Sequence, residues 1–428
     1  MNRKNFFIEN LGCAKNQVDA EIIINTLTAN GWQWEASPDD AEVIIINTCG
    51  FIKAAKEESI EVSLDYKTRY PGKKIIMAGC LTERYKAELE TQLYEVDGFY
   101  GNKDPADILT LLEPGDHPQQ QLFRKQLLSL PGSAYLKIAE GCNNCCTYCS
   151  IPLIRGALRS RESAEIVKEI AELQAQGIVE FNLVAQDLGS YGMDSAGGES
   201  ITTLFSAISC LDLDFWIRPL YIHPDHFPFT ILELMQKDKR FLPYFDLPFQ
   251  HASGRILKKM GRAGSAEKYL ELIRHIRSSL PDAVIRSTFL TGFPGETEED
   301  FQQLCLFQEE AELDWLGVFV YSREENTPAY SCPQKVSRKI ARYRKKLIED
   351  RQLSITEGRL DRFPGRELDI LVEEPVKNEK LYLGRGYLQA PEVDGLVVIH
   401  GENLSPGRRI RCLIIKRNGI DLEAVIPD

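Results

Sequence analysis

Two hydrophobic patterns alternate over residues 1–113. One is the continuous apolar run of a strand buried on both faces, and the other is the helical spacing of apolar residues. Apolar residues recur at helical spacing from Asn16 to Asn30, and more polar helical segments begin near Lys53 and Glu83. Continuous apolar runs, which are typical of buried parallel strands, precede these helices at 6–8, 43–46 and 74–78. The βαβαβ order predicts a parallel sheet in an N-terminal domain.

A second series of strands and helices occupies residues 132–336, after a stretch at 114–131 that we interpret as a linker because of its turn-forming residues. Helical patterns such as 164–176 and 298–312 separate most of the strands. The six strand candidates are 135–139, 180–185, 215–222, 245–249, 284–290 and 316–321. Six βα units predict a partial (β/α)6 version of the TIM barrel, with its chemistry at the carboxyl ends of the strands.

The pattern changes again towards the end of the chain. Residues 337–363 begin as a basic helix, which we interpret as a solvated connecting helix, and 364–428 consist of short β runs between glycines and polar turns. These runs are 368–372, 382–388, 396–399, 410–416 and 422–425. Five short strands predict a small antiparallel β-barrel of the OB type. The fold class is therefore α/β with a small C-terminal barrel.

Composition narrows the range of functions. A chain of 428 residues with 43% hydrophobic content is large enough for two or three domains. The formal net charge of -12 argues against nucleic-acid binding through a general basic surface and suits a basic protein partner. The N-terminal apolar run is too short for a signal peptide, and no stretch is long enough to span a membrane. We therefore expect a cytoplasmic protein, in which eleven cysteines require a metal or redox explanation.

The most informative stretch is 141–149, which reads Gly-Cys-Asn-Asn-Cys-Cys-Thr-Tyr-Cys. Cys142, Cys146 and Cys149 have C-x3-C-x2-C spacing, and three thiolates on one tight loop can hold three irons of a [4Fe–4S] cube. The fourth iron is then open to a small molecule that chelates through an amine and a carboxylate. This spacing resembles the signature of the radical S-adenosylmethionine (SAM) enzymes.

Two other interpretations of this loop are a zinc knuckle and a set of buried cysteines that pack as small hydrophobic side chains. Zinc sites usually combine two C-x2-C pairs or cysteines with histidines, and the sequence has neither a second pair nor a histidine nearby. Cys145 also forms a C-x2-C pair with Cys142, and we interpret Cys145 as a bystander. The spacing favours the cluster.

A second cysteine triad is spread over the N-terminal domain. Cys13, Cys49 and Cys80 each fall just past the carboxyl end of a predicted strand, with glycines beside them. Because the carboxyl ends of parallel strands meet at one edge of a sheet, we expect the three thiols to converge there. Three converging thiolates again suit a cube with one open iron, and the alternative is three unrelated buried cysteines.

Further polar residues fall at the carboxyl ends of the strands of the second domain. Gln186 and Asp187 follow its second strand, Gln250 and His251 its fourth, and a Gly-Phe-Pro-Gly-Glu-Thr string beginning at Gly292 its fifth. The last string suits close approach of the backbone to a cofactor. For Gln186 and Asp187 the alternative is turn and cap chemistry, and for His251 it is a buried histidine with satisfied hydrogen bonds.

Four arginines are candidate anion contacts. Arg286 would need a carboxylate if it faces inward, and SAM or the substrate offers one. Arg155, Arg159 and Arg161 flank the cysteine loop, either as partners in salt bridges at helix ends or in contact with an acidic group.

With both triads placed, the chain resembles the methylthiotransferases, a family of radical-SAM enzymes, over essentially its whole length. The tRNA-modifying MiaB branch typically has Gly-Cys-Gln-Met-Asn where this chain has Gly-Cys-Ala-Lys-Asn at 12–16. Asn326, where the family often has Gly, and Ala20, where Ser is common, depart from the pattern without removing a cysteine. The strings that resemble the RimO branch are 11–16, 47–52, 55–59, 79–81, 244–251 and 292–297.

The resemblance implies an N-terminal cluster domain, a radical-SAM half-barrel and a C-terminal TRAM barrel, with two [4Fe–4S] clusters and SAM as cofactors. It implies that Cys142, Cys146 and Cys149 bind the cluster that cleaves SAM, and that Cys13, Cys49 and Cys80 bind the cluster that supplies sulfur. SAM contacts are assigned in the same way to Tyr148, Gln186, Asp187, Arg286 and Gly292.

The RimO branch adds a methylthio group to the β-carbon of an aspartate of small-subunit ribosomal protein twelve, using two SAM molecules, so that protein and a low-potential electron donor such as flavodoxin or ferredoxin are the implied partners. The first alternative is a tRNA methylthiotransferase of the MiaB type. Residues 365–428 contain nine Lys and Arg against eleven Asp and Glu, and this balance argues against tRNA. The second alternative is an electron-transfer or scaffold protein. The predicted half-barrel argues against it, because electron transfer alone needs no cavity for SAM.

Overall fold

The computed structural model describes residues 4–102, 106–113, 115, 124–195 and 197–427. The N-terminal strands are β1 (Asn5–Asn10), β2 (Gln33–Trp34), β3 (Val43–Thr48), β4 (Lys74–Gly79) and β5 (Gly98–Tyr100). The helices packed on them are α1 (Ala14–Ala29), α2 (Lys53–Arg69), α3 (Cys80–Gln92) and α4 (Ala106–Leu112). The strands pair in parallel in the order β2-β1-β3-β4-β5, so the three predicted strands form the centre of the sheet. The edge strands β2 and β5 are too short for the pattern to predict them.

The second domain contains the six predicted parallel strands, which are β6 (Ser133–Lys137), β9 (Glu180–Val184), β10 (Trp216–Pro219), β11 (Tyr244–Asp246), β12 (Val284–Thr291) and β13 (Trp315–Val320). They form two sheets, β10-β9-β6 and β11-β12-β13. Backbone hydrogen bonds join the two: Ile217 N donates to Arg240 O at 2.7 Å, and Ile222 N donates to Asp246 O at 2.9 Å. The six strands therefore form one curved half-barrel.

Helices cover the outside of this half-barrel, and a short hairpin that the sequence did not predict flanks its cysteine loop. The hairpin strands are β7 (Ala139–Glu140) and β8 (Arg159–Ser160). The helices are α5 (Ile151–Arg155), α6 (Ser163–Ala175), α7 (Ile201–Ser209), α8 (Thr230–Lys237), α9 (Gly254–Lys259), α10 (Ala266–Ser279) and α11 (Glu298–Ala311).

Helix α12 (Arg338–Leu360) corrects the expectation of a solvated connecting helix. One of its faces, which includes Ala341, Arg344, Ile348, Gln352 and Leu360, is buried against the half-barrel. Thr291 Oγ1 at the end of β12 donates to Ala341 O at 3.0 Å. The sequence pattern missed this face because polar side chains with specific partners occupy much of it.

The C-terminal strands are β14 (Glu367–Pro375), β15 (Leu381–Arg385), β16 (Val397–His400), β17 (Arg409–Asn418) and β18 (Asp421–Val425). They close into the predicted five-stranded barrel, in the order β14-β15-β16-β18-β17. Pairing is antiparallel except between β16 and β18, which run parallel. Within the described residues, every helix is too short or too polar to cross a membrane.

The C-terminal barrel docks against the amino ends of the half-barrel strands, opposite the cysteine loop. Trp315, the first residue of β13, donates from its indole to Leu388 O at 2.7 Å. Of the predicted linker, 114 and 116–123 lie outside the described residues. At 124–131 the chain is packed rather than free, since the buried Arg124 donates to Glu169 at 2.8 Å.

Candidate functional site

The three N-terminal cysteines lie at one edge of the sheet, because each follows one of three neighbouring parallel strands. Cys13 follows β1, Cys49 follows β3, and Cys80 begins α3 directly after β4. The thiols of Cys13 and Cys80 lie 3.6 and 3.4 Å from Oδ1 of Asn16, so they share one neighbour. The structure thus brings these cysteines together, and their role as cluster ligands stays a prediction.

The loops around this triad pack so closely that glycine is required beside it. A Cβ on Gly12, whose φ is +122°, would lie 3.3 Å from Cβ of Cys49. A Cβ on Gly50 would lie 2.6 Å from the carbonyl oxygen of Cys80. Burial raises the pKa of the Cys49 thiol to about 11, so the free thiol is protonated at neutral pH and would release its proton on binding a metal.

The cysteine loop 141–149 lies between β7 and α5 at the carboxyl end of the half-barrel. Backbone amides point at its sulfur atoms: Asn144 N donates to Cys142 Sγ, and Ile151 N donates to Cys149 Sγ, each at 3.4 Å. Amide hydrogen bonds of this kind tune cysteine-bound iron–sulfur clusters. The loop therefore combines the donor atoms and the backbone surroundings of a cluster site.

Contacts with the rest of the half-barrel hold this loop in place. A Cβ on Gly141 would lie 2.0 Å from the carbonyl oxygen of Ala157. Thr147 N donates to Met260 O at 3.0 Å. Cys145 is exposed, and its thiol lies 3.9 Å from the backbone oxygen of Asn143.

Each cysteine triad has one buried arginine beside it. Arg155, at the end of α5, donates from Nη2 to Cys80 Sγ at 2.9 Å and so reaches from the half-barrel to the N-terminal domain. Arg262 is buried against Cys146 of the cysteine loop. A guanidinium at these positions offsets the negative charge of thiolates.

Arg155 also has acidic partners, which belong to the chain itself. Its Nη1 donates to Asp19 at 2.7 Å and to Glu140 at 3.2 Å. Arg161 is paired with Glu169 at 2.7 Å. These two arginines therefore favour the salt-bridge interpretation over contact with an external acidic group.

Arg159 lines a cavity of about 320 Å³ between the N-terminal domain and the half-barrel. Asn102, which shares this cavity, donates from Nδ2 to Cys80 Sγ at 3.6 Å. The cavity therefore reaches the surroundings of the N-terminal triad.

Two of the predicted SAM-contacting residues lie close to the cysteine loop and fit a bound cofactor. The ring of Tyr148 packs edge-on against Phe293, with centroids 6.5 Å apart, and so joins the cysteine loop to the loop that begins at Gly292. Gln186 donates to Glu140 at 2.9 Å, while its own Oε1 is buried without a partner among the described residues. That oxygen is an available acceptor.

Asp187 performs the turn and cap chemistry that was its alternative. Its carboxylate accepts from Ser190 Oγ at 2.6 Å, from Asn144 Nδ2 at 2.9 Å, and from His223 N at 3.0 Å. Through Asn144 it anchors the cysteine loop. A direct contact with SAM stays a prediction for Asp187.

Gly292 is required by the packing of α12. Its φ is +78°, and a Cβ there would lie 2.4 Å from Cβ of Ala341. Its amide donates to Glu296, which also accepts from Phe293 N at 3.0 Å and is paired with Arg344 at 3.0 Å. The loop is thus shaped by protein contacts, and a contact with the cofactor stays a prediction.

The partner of Arg286 differs from the expected one. The side chain is largely buried, but its carboxylates come from the chain: Asp246 at 3.2 Å and Asp394 at 3.4 Å. Asp394 lies in the C-terminal barrel, more than one hundred residues away in sequence. The sequence pattern pointed to a buried ion pair but not to its partner.

His251 is buried, as the alternative described, but its hydrogen bonds are not all satisfied, since Nε2 has no partner among the described residues. Its Nδ1 accepts from Ala252 N at 2.9 Å and from Ser253 N at 3.0 Å. Burial lowers the pKa of its imidazole to about 3, so the ring is neutral. Gln250 beside it has φ +69°, an uncommon conformation for a residue other than glycine.

The sequence analysis did not single out Lys15, which belongs to this site. Its Nζ donates to Ala185 O at 3.0 Å and lies 4.2 Å from the ring centroid of Tyr221. Tyr221 also has an uncommon backbone, with φ +62°. The available signal was the position of Lys15 within the string 11–16, two residues after Cys13.

The side chains and backbone around the two triads suit iron–sulfur clusters. Cysteine-only donors, amide hydrogen bonds to sulfur and glycine-lined loops together suit the cube.

Comparisons with known proteins agree with this architecture. Family models match at residues 5–101 (uncharacterized protein family UPF0004), 136–307 (radical SAM superfamily) and 365–426 (TRAM domain). Among solved structures, the radical SAM methyltransferase TsrM from Kitasatospora setae has a TM-score of 0.57 at 15% identity over 77% of each chain. The radical enzyme OxsB has a TM-score of 0.52 at 10% identity, covering 83% of this chain and 56% of its own. The fold and the cysteine loop define a radical-SAM protein with two added domains.

Curated relatives narrow the class to one family. The ribosomal protein uS12 methylthiotransferase RimO of Treponema denticola is 43% identical over 461 residues, covering 97% of this chain and 99% of its own length. RimO of Thermotoga maritima is 41% identical, covering 92% and 94%, and RimO of Geobacter sulfurreducens is 40% identical, covering 96% of each. The chain belongs to the RimO family.

Proposed function

We propose that this chain is a ribosomal protein uS12 methylthiotransferase, which adds a methylthio group to the β-carbon of an aspartate of that protein. The substrate class comes from the names of the relatives. The observation that carries the proposal is that Arg155, six residues after the last cysteine of the half-barrel triad, crosses the domain interface and contacts Cys80 of the N-terminal triad. SAM cleavage alone needs one triad, whereas transfer of sulfur to a carbon radical gives the second a purpose.

We further propose two [4Fe–4S] clusters and SAM as cofactors. The residues that would hold the clusters are Cys142, Cys146 and Cys149 in the half-barrel and Cys13, Cys49 and Cys80 in the N-terminal domain. When bound, these groups supply the electron that cleaves SAM and the sulfur that is transferred. The free Oε1 of Gln186 and the ring of Tyr148 support a SAM site beside the half-barrel triad.

The chain's own task in this reaction is to hold the reacting groups in line and to exclude water. Asp187 fixes the cysteine loop through Asn144, and Glu296 fixes the neighbouring loop through the amide of Phe293. Arg155 and Glu140, which flank the cysteine loop, connect it with the edge of the N-terminal sheet. This rigidity supports a reaction whose partners must meet at one carbon atom.

A protein substrate rather than tRNA is supported by the charges of the C-terminal barrel. Seven of the nine Lys and Arg of residues 365–428 are in ion pairs with carboxylates. A surface with its cations already neutralised has little attraction for tRNA phosphates. A ribosomal protein rich in Lys and Arg suits it better.

The remaining partners follow from the chemistry. A low-potential donor such as flavodoxin or ferredoxin supplies the electrons, and the reaction takes place in the cytoplasm, where ribosomal proteins are made. A reducing compartment keeps the cysteines available for clusters.

The two-cluster account is tested with two triple variants, one with Cys142, Cys146 and Cys149 changed to Ala and one with Cys13, Cys49 and Cys80 changed to Ala. Each variant is expected to keep about half of the iron and sulfide, because the other triad is intact. The N-terminal triple variant should still cleave SAM reductively while methylthio transfer stops. Loss of all iron in either variant, or methylthiolated product from the N-terminal one, would contradict the account.

A further inference from the structure

We infer that Lys15 binds the carboxylate of the target aspartate and so determines the substrate specificity of the proposed reaction. The inference rests on the proposed function and adds to it the residue that recognises the side chain to be modified. Lys15 lies in the first turn of α1, two residues after Cys13.

The ammonium group of Lys15 lies between the two cysteine triads. It donates to Ala185 O at 3.0 Å, at the carboxyl end of β9. Two residues further along the chain, Asp187 holds Asn144 of the cysteine loop at 2.9 Å. A carbon that meets both a SAM-derived radical and a sulfur from the N-terminal triad must stand in this space.

Lys15 has no carboxylate partner among the described residues, which sets it apart from its cationic neighbours. Lys137 is paired with Asp19 and Glu140, and Arg155 shares the same two carboxylates. Lys15 is half-buried, and its ammonium contacts a carbonyl oxygen and an aromatic ring, while Cys13, Glu140 and Asp246 lie near it without forming an ion pair. An ammonium has three donors, so two remain for a ligand. A partly desolvated cation without a counter-charge favours binding of an anion.

The surroundings of Lys15 suit a small acidic side chain. Tyr221, whose ring centroid lies 4.2 Å from the ammonium, has a left-handed backbone of φ +62° two residues after the end of β10. Such conformations persist where the surroundings enforce them, and they cluster at binding sites. Arg286, another cation of the half-barrel, is occupied by Asp246 and Asp394. Arg262, beside Cys146, donates to the backbone oxygen of Phe249 at 3.1 Å. Of the cations Lys15, Lys137, Arg155 and Arg286, Lys15 is the one without a carboxylate in an ion pair within the described residues.

The test is a double-mutant cycle on binding, which measures the coupling between the two groups directly. Full-length enzyme with its clusters loaded, as wild type and as Lys15→Met, is titrated with uS12 and with uS12 whose target aspartate is changed to Asn. For wild-type enzyme we expect the Asn form to bind about 10- to 100-fold more weakly, the value of a hydrogen bond to a charged group. For Lys15→Met we expect the two forms to bind equally.

Two further variants complete the experiment. Lys15→Arg keeps the charge and should retain part of the preference for aspartate, while Lys339→Met, which removes an exposed cation of α12, should retain all of it. If Lys15→Met still prefers aspartate as wild type does, or weakens both forms to the same extent, Lys15 does not read the carboxylate. If wild-type enzyme neither binds nor methylthiolates uS12, the proposed function itself fails, and the two failures are distinguishable.

Discussion

At the scale of single residues, the loops around the site owe their shape to a few positions where only glycine fits. Gly292 combines a left-handed φ of +78° with a neighbour, Ala341, that leaves no room for a Cβ. Gly198 has nearly the same φ, +76°, but nothing within 4 Å of its would-be Cβ. A comparison of Gly292 with Gly198 therefore separates the free-energy cost of the left-handed backbone from the cost of crowding around an added Cβ.

Gly292→Ala should therefore destabilise the protein more than Gly198→Ala. The left-handed backbone alone costs about 1 kcal/mol for alanine, and overpacking against α12 adds roughly 1–3 kcal/mol at Gly292. The measurement is the free energy of unfolding by urea titration of both variants. Equal losses would mean that α12 moves aside without cost.

Residues also show how far the sequence predicts the site. The convergence of Cys13, Cys49 and Cys80 was predictable because the strands before them are continuous apolar runs that share one sheet edge. The triad of the cysteine loop was predictable from its spacing alone. The partner of Arg286 was not predictable from the sequence, because Asp394 comes from another domain. Lys15 was not predicted for the same reason, because its position in the site depends on a contact with Ala185, which is distant in sequence.

At the scale of elements, short segments connect the domains. The five-residue helix α5 follows the cysteine loop and ends in Arg155, whose guanidinium reaches Cys80 at 2.9 Å. The sequence predicted the long helices and buried strands, but not α5 or the two-residue strands β7 and β8, since so few residues carry no periodicity. The contact between the half-barrel and Cys80 therefore depends on an element that the hydrophobic pattern alone does not reveal.

Arg155→Met should lower the reduction potential of the cluster that we propose for the N-terminal triad. Removing a positive charge beside Cys80 makes the cluster harder to reduce, and Arg155→Lys should restore part of the shift. Lys339→Met, which removes an exposed cation of α12, serves as the control. The measurement is a redox titration followed by electron paramagnetic resonance, and an unchanged potential in Arg155→Met would show that the arginine only holds the domains together.

At the scale of the whole molecule, the C-terminal barrel is held by a buried charge network. Glu180, the first residue of β9, accepts from Arg218 at 2.9 Å and from Arg385 of the barrel at 2.7 Å, and all three side chains are buried. Burial alone raises the pKa of Glu180, but Arg385 and Arg218 hold it well below its ordinary value. The ion pairs therefore stabilise the docked barrel at pH values above the ordinary pKa of a carboxyl group. This stabilisation is lost as the pH falls from that value through the lowered pKa of Glu180 in the folded protein.

Glu180→Gln should cost about 3–5 kcal/mol of stability at neutral pH, since it leaves the buried Arg218 without a carboxylate and Arg385 with Glu373 alone. The variant should also lose less stability than wild type on acidification. Asp350→Asn, in an exposed pair with Lys346, is the control and should change neither property. The measurement is the unfolding free energy across a pH series, and a Glu180→Gln variant as stable as the control would show that the network does not hold the barrel.

The central claim is that the chain transfers a methylthio group to ribosomal protein uS12. The most direct test is anaerobic incubation of the loaded enzyme with SAM and a reductant, in parallel with ribosomes and with bulk tRNA, followed by mass spectrometry of both. The account predicts that uS12 gains the mass of one methylthio group on an aspartate while tRNA is unchanged. Methylthiolated tRNA with unmodified uS12 would contradict it.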